Sequence, residues 1–247
     1  CNPNYCYILT VLSVYMPMKG RDASTYREVD RWSEGVGWIA YPDEMMQRTS
    51  HAVVGDDGNL WVIDPVDAPG VDELLSTFGS ANTEIAGVVV GLDRHTRDAA
   101  ALASRHDVPI YVPTWMSGVA DEVDNSVERF RDELGDSGYE AFEILNRGLP
   151  PWQEVGLFHR ENGTLIIPEA VGTVSYFCAP GERLGIHPML RPFPPRQALS
   201  RFEPKRILVG HGTGIMSNAA RSLAAAVDNS RSNLPSAYSR AFKQLIS

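Results

Sequence analysis

Five short apolar runs constrain what this chain can fold into: "LWVID" (60–64), "AGVVV" (86–90), "PIYVP" (109–113), "TLIIP" (164–168) and "RILVG" (206–210). Each has strand length, is rich in Val, Ile or Leu, and is bounded by Gly, Pro or a polar residue, which predicts five strands. Two of them close hairpins. "HAVVGDDGNLWVID" turns at Asp57-Gly58, and "VGLFHRENGTLIIPE" turns at Asn162-Gly163, both favoured tight-turn pairs. Between the strands the apolar residues take helical spacing. Ala99, Leu102 and Ala103 align in 98–106, Val127, Phe130 and Leu134 in 125–134, and Met216, Ala220, Leu223 and Val227 in 214–228. Tyr238, Phe242 and Leu245 give the last helix the same stripe. All four stripes are expected to face a core. Strands alternating with helices predict an α/β architecture.

The two hairpins echo each other. "GNLWVID" (58–64) and "GTLIIPE" (163–169) share a turn glycine, a leucine, two aliphatic positions and a terminal acid at equal spacing. This predicts two similar halves, each a hairpin followed by strand–helix units. A chain of 247 residues suits one domain with a substantial core. The formal net charge of −9 argues against nucleic acid or an anionic membrane as partner. Lysine makes up only three of the 22 basic residues, leaving 19 arginines, a bias that fits a GC-rich or salt-adapted source. Cys1, Cys6 and Cys178 form neither a CxxC pair nor a regular set, so a reducing, cytoplasmic setting is expected. Cys178 reads as a small buried apolar residue. Residues 1–18 carry no charge. They are too short and too broken for a membrane helix and lack a basic leader. They are expected to be a non-native or disordered extension, with the working domain spanning 19–247.

Chemistry-bearing residues follow directly after several strands: Asp64, Asp93 to Arg97, Glu169 and His211. Ligands gather at such strand ends, where side chains escape the packed interior. The order of segments resembles the metallo-β-lactamase superfamily over roughly residues 36–230. "SHAVVGDDGNLWVIDP" is similar to its opening hairpin, and "AGVVVGLDRHTRDAAALASRHDVPIYVP" to its signature strand–turn–helix–strand. "NGTLIIPEAVGT" resembles the segment supplying its bridging carboxylate, and "RILVGHGTGI" the strand bearing its last histidine. The resemblance implies an αββα sandwich of two mixed sheets with helices on the outer faces, a dizinc site and hydrolase activity.

The ligand positions depart from that family. Its H-x-H-x-D-H-x-G-G signature, laid on without gaps, falls on Leu92, Arg94, Thr96 and Arg97, with Ala99 and Ala100 at the glycines. Leucine cannot ligate, and a guanidinium repels a dication. The nearest match to a later G-H-T-P-G-like segment is "GLPPW" (148–152), with Leu149 at the histidine. Glu169 stands where an aspartate is expected, and His211 keeps both type and place.

The first expectation is therefore a degenerate site without a metal, surviving as a ligand-binding or other non-catalytic remnant. Arg94, His95, Arg97, Glu169 and His211 would form a charge network or grip a small anionic ligand. The alternative is a slipped register in which His95, Glu169 and His211 hold one zinc or iron ion. That arrangement would serve a hydrolase of an ester, thioester or phosphoester. Among the remaining candidates, His51 is expected to be packed in a strand, with Ser50 no nucleophile for want of a G-x-S-x-G elbow. His106 should sit at a helix C-terminus and His159 in solvent. His187 belongs to a proline-rich connector able to act as a lid, while Asp64 and Asp67 would end a strand and cap a helix starting near Val71.

Overall fold

The computed structural model describes residues 17–20, 23–79, 83–123 and 125–246. Most of the uncharged N-terminal segment, with Cys1 and Cys6, lies outside the described residues. Pro17 and Met18 are described, and their carbonyls accept the N–H groups of Met45 and Met46.

All five expected strands form. β1 (Arg27–Trp32), β2 (Gly35–Ile39), β3 (Thr49–Val54), β4 (Leu60–Ile63), β5 (Ile85–Val89), β6 (Ile110–Pro113) and β7 (Val127–Phe130) make one sheet in sequence order. β8 (Tyr139–Gly148), β9 (Pro151–His159), β10 (Thr164–Ile167) and β13 (Arg206–Val209) make a second, in the order β13-β10-β9-β8. β11 (Val171–Gly172) and β12 (Gly185–Ile186) pair separately. Both large sheets are mixed: β1 to β4 pair antiparallel and β4 to β7 parallel, while β10 runs parallel to β13 and antiparallel to β9. Both predicted hairpins are present, with Gly58 (φ 76°) and Gly163 (φ 71°) in the left-handed region their turns require.

The layers follow from side-chain alternation. Ile166 of β10 and Leu208 of β13 join Val62, Val88 and Val89 of the first sheet in one buried apolar cluster. Their neighbours Leu165, Ile167, Ile207 and Val209 face the other way, onto Leu223 and Val227 of α5 (Ala219–Asp228). A strand covered on both faces is apolar throughout, which is why these runs read as continuous rather than alternating. On the first sheet, α1 (Val71–Ser76) buries Val71, Leu74 and Leu75, and α2 (Ala99–His106) buries Ala99, Leu102 and Ala103. The architecture is the two-sheet sandwich with outer helices.

Three helical expectations are corrected. Residues 127–130 form strand β7, pairing parallel with β6 at the sheet edge; the spacing of Val127 and Phe130 fits a helix, but the open edge of β6 supplies backbone partners. In α5 the buried face is Ala219, Leu223, Ala226 and Val227, leaving Met216 and Ala220 off it. In α6 (Leu234–Ile246) Ala237 and Ala241 face inward, whereas Phe242 is 64% and Tyr238 41% exposed. Small residues let that helix sit close to the body, so its large apolar residues point out. Two further helices, α3 (Ser117–Glu122) and α4 (Arg196–Leu199), are short. Among the described residues no helix is long and apolar enough to cross a membrane.

Candidate metal centre

The ends of β4, β5, β10 and β13 lie together because β4 pairs parallel with β5 and β10 with β13. Each strand end delivers one group: Asp64 after β4, His95 from the turn after β5, Glu169 after β10 and His211 after β13. One ligand atom from each of His95, Glu169 and His211 lies within 4.8 Å of the others, and all three residues are buried. His95, which falls between the family's ligand positions in the sequence, is thus brought into the cluster with Glu169 and His211.

The ring nitrogens are ordered by their partners. His95 Nδ1 lies 2.9 Å from Asp64 Oδ2, and the second Asp64 oxygen accepts the Gly91 N–H at 2.8 Å. His211 Nδ1 lies 2.9 Å from the Met46 carbonyl, so it must carry the proton. The His211 Nδ1–H donates backwards, which leaves its Nε2 turned to Glu169 as a lone pair, and the His95 ring likewise sets Nδ1 on Asp64 and turns Nε2 toward the carboxylate. His95 Nε2 is 3.0 Å from Glu169 Oε2, and His211 Nε2 is 3.9 Å from the same oxygen. Burial depresses the His211 pKa despite the carboxylate beside it, favouring the neutral ring.

The supports of this cluster are mostly invisible in sequence. Glu154, fully buried in β9, accepts the N–H groups of Glu169 (2.7 Å) and Ala170 (2.8 Å) on one oxygen and the Trp152 indole N–H (2.7 Å) on the other. It fixes the backbone that carries Glu169. Burial, against these three donors, pushes its pKa up to about 7. The 44–49 segment clamps His211 from the other side: the Thr49 N–H donates to the Gly210 carbonyl and the Gly212 N–H to the Gln47 carbonyl. Glu44 holds that segment through the Arg48 guanidinium and N–H. At Gly210 an added Cβ would lie 2.1 Å from the Pro168 carbonyl oxygen and 3.4 Å from His95 Cε1, so no side chain fits there.

His187 is more than the connector expected. Its ring is buried, lies edge-on to Trp152 and Phe177, and brings Nε2 to 3.5 Å from Glu169 Oε1. Nδ1 accepts the Met189 N–H at 3.2 Å, so Nε2 carries the proton and faces the carboxylate as a donor. Burial holds its pKa down at about 4. The loop carrying it is anchored by Arg191, which is fully buried and paired with Glu182 and the Phe177 carbonyl. Phe177 in turn stacks on His211 at 5.4 Å between ring centres.

Arginines approach the cluster from two directions. Arg97, with φ 38°, turns back so that Nη1 donates to the Thr49 and Asp64 carbonyls, while Nη2 lies 3.1 Å from His95 Nε2. The Arg94 guanidinium lies over Trp152, 4.2 Å from the ring centre, and reaches Asp93 at 3.0 Å and Glu169 Oε1 at 3.4 Å. Its side chain is 41% exposed. All five expected site residues therefore meet at one place.

The family's remaining ligand positions bring no donors. Leu92 is buried in the second apolar core, and Leu149 stands 91% exposed in the β8–β9 turn. Among the described residues only one group of three or more potential ligands converges. Several peripheral expectations change. Asp64 caps no helix, since α1 begins at Val71 behind an N-cap at Gly70 with no side-chain cap, and Asp67 binds Arg105 and the Ala68 N–H. His159 is buried against Asp56 rather than solvated, because the two hairpin turns meet there. Ser50 is consumed by the Asp64 carbonyl and the Val66 N–H, His51 is packed beside Asp30, and His106 pairs with Asp72. Burial pushes the Cys178 thiol up to about 12, as befits a packed residue.

No family model matches the sequence, and no curated protein matches it. Solved structures do. The chain is similar to a metallo-beta-lactamase from Pontibacter korlensis at 13% identity and a TM-score of 0.58, covering 83% of this chain and 100% of that one. A diflavin flavoprotein A 5 fragment from Nostoc sp. PCC 7120 matches at 14% identity and a TM-score of 0.58, covering 86% and 99%. The di-iron-bound form of TTHA1623 matches at 18% identity and a TM-score of 0.51, covering 73% and 94%. What these structures share with the chain is the fold.

Proposed function

On the premise that this chain carries the metallo-β-lactamase fold, we propose that it is a hydrolase working with one divalent ion at His95, Glu169 and His211. The observation that carries this reading is the orientation of the two rings: each Nδ1 is tied behind, to Asp64 or to Met46, so that each Nε2 is turned toward Glu169. A ligating histidine is typically held this way by a carboxylate or carbonyl on its far nitrogen. Two imidazoles and one carboxylate with open positions suit zinc or iron(II). The donor set fits one ion and not two, because Leu92, Arg94, Thr96 and Leu149 offer no replacement for the missing ligands. A bound ion of this kind supplies Lewis acidity and lowers the pKa of coordinated water.

The chain's own residues do the rest. Asp64 keeps the His95 ring in one tautomer, and Glu154 holds the Glu169 backbone. His187 turns its Nε2 toward Glu169 Oε1, beside the carboxylate's second oxygen. Phe177 shields His211 from water. Arg94, half-exposed and braced on Trp152, is placed to grip an anionic group of the substrate. The expected substrate is an ester, thioester or phosphoester carrying negative charge near the scissile bond.

A second reading, an anion-binding protein without a metal, is favoured by one contact: the Arg97 guanidinium already faces His95 Nε2. Metal analysis of protein purified without chelators separates the two. Stoichiometric zinc or iron, lost in His211→Ala, supports the hydrolase. Fully folded protein that takes up no zinc or iron on dialysis supports the anion-binding reading.

A further inference from the structure

We propose that Arg97 is a built-in competitor for the metal ion, a guanidinium that holds the His95 lone pair until an ion displaces it. The inference rests on the His95–Glu169–His211 metal reading and concerns how that site loads. His95 Nδ1 is committed to Asp64, and Arg97 Nη2, which can only donate, meets Nε2 at 3.1 Å, so Nε2 is the acceptor that carries the lone pair. Two groups converge on that nitrogen: Glu169 Oε2 at 3.0 Å and Arg97 Nη2 at 3.1 Å. A carboxylate and a lone pair repel unless something positive sits beside both, and Arg97 is the positive group in place. An ion must take the same lone pair.

Arg97 cannot leave freely. Its backbone is in the left-handed region at φ 38°, and Nη1 is fixed by the carbonyls of Thr49 (3.2 Å) and Asp64 (3.0 Å). The fork can pivot on those two bonds and swing Nη2 away, but its charge stays close. Asp64 behind the ring and Glu169 in front offset that charge, which is why a guanidinium and a metal-ligand set can coexist in one turn. Arg94 does not compete in this way, because it reaches the other Glu169 oxygen, Oε1, from the exposed rim. The consequence is that loading demands a higher metal concentration than the same ligands would need alone.

The test is zinc and cobalt affinity, measured by competition with a chromophoric chelator on the full chain, for wild type, Arg97→Gln and Arg97→Lys. Gln removes the charge and the fork; Lys keeps a charge without the planar fork. Arg97→Gln is expected to bind at least about tenfold more tightly than wild type, with Arg97→Lys between them. In wild type the Arg97 Nη resonances should shift in proportion to zinc bound, which keeps the idea testable if the variants fold poorly. Wild-type binding with equal or weaker affinity in folded Arg97→Gln, and an unmoved Arg97 signal, would overturn the competition while leaving the metal centre intact. Binding by neither protein would sink the metal reading, and this inference with it. Binding by Arg97→Gln alone would support the competition and overturn a resident ion in the native chain.

Discussion

Two acids close the two hairpins of this molecule, each six residues after its turn glycine, and they do opposite things. Asp64 turns in the left-handed region at φ 46° and spends both oxygens behind the site, one on the Gly91 N–H and one on His95 Nδ1. Glu169 follows Pro168, has its own N–H captured by Glu154, and keeps both oxygens for the imidazoles and Arg94. The His95 ring thus lies between the two carboxylates, one at each nitrogen. One hairpin pattern therefore yields an orienting acid in the first half and a presenting acid in the second. The reach of one extra methylene and the capture of the backbone decide which.

The hardest way to break this contrast is Asp64→Ala. It strips the partner from a buried imidazole N–H and a buried backbone N–H and leaves the Arg97 charge less compensated. We expect a loss of about 3–5 kcal/mol in urea unfolding and zinc affinity about 10–100-fold weaker. Glu169→Gln should invert the pattern, with zinc affinity falling further than in Asp64→Ala but stability changing less, since a presenting acid satisfies few buried donors. Stability loss equal to that of Asp64→Ala would show that both acids are structural.

Glu154 sharpens the comparison, because it converts the second hairpin's acid into a presenting one. Glu154→Gln should cost about 1.5–3 kcal/mol through its three N–H partners. Its pKa near 7 also gives a sign. Between the ordinary carboxyl value and about 7 the folded protein binds a proton that the unfolded chain has released, so stability from this group falls as pH rises through that window. Urea midpoints of wild type and Glu154→Gln at pH 5 and pH 8 should differ by a term of about 3 kcal/mol at most. A pH-independent difference would reject this assignment. The smallest effect is expected from Arg94→Gln. The exposed pair to Glu169 contributes about 0–1 kcal/mol to stability, so its signature should be a raised KM for anionic over neutral esters.

Strands and hairpins were legible because residue period and turn chemistry are local properties. The runs at 60–64 and 164–168 needed no tertiary knowledge, whereas 127–130 did. Its apolar spacing fits either element, and only the free edge of β6 makes it a strand. The tail helix misled for a related reason: Tyr238 and Phe242 mark a stripe, but the side that packs is the one whose residues allow close approach. At the site, chain order pointed to Glu169 and His211, and a one-position slip pointed to His95. The roles of Asp64, Glu154 and His187 were hidden, since each acts across a long sequence separation through one oriented hydrogen bond or ring contact. A buried glutamate in "WQEVGLF" looks like any strand residue until its backbone clients are known.

Gly210 has a consequence for how such a centre can drift. The bare backbone there is the spacer between the second-half strand and the first-half ring, so a methyl at this point would act as a wedge. It would press on the Pro168 carbonyl and on the edge of the His95 ring at once. The residues around this seam can vary, while the seam itself sets the aperture that any occupant must fit.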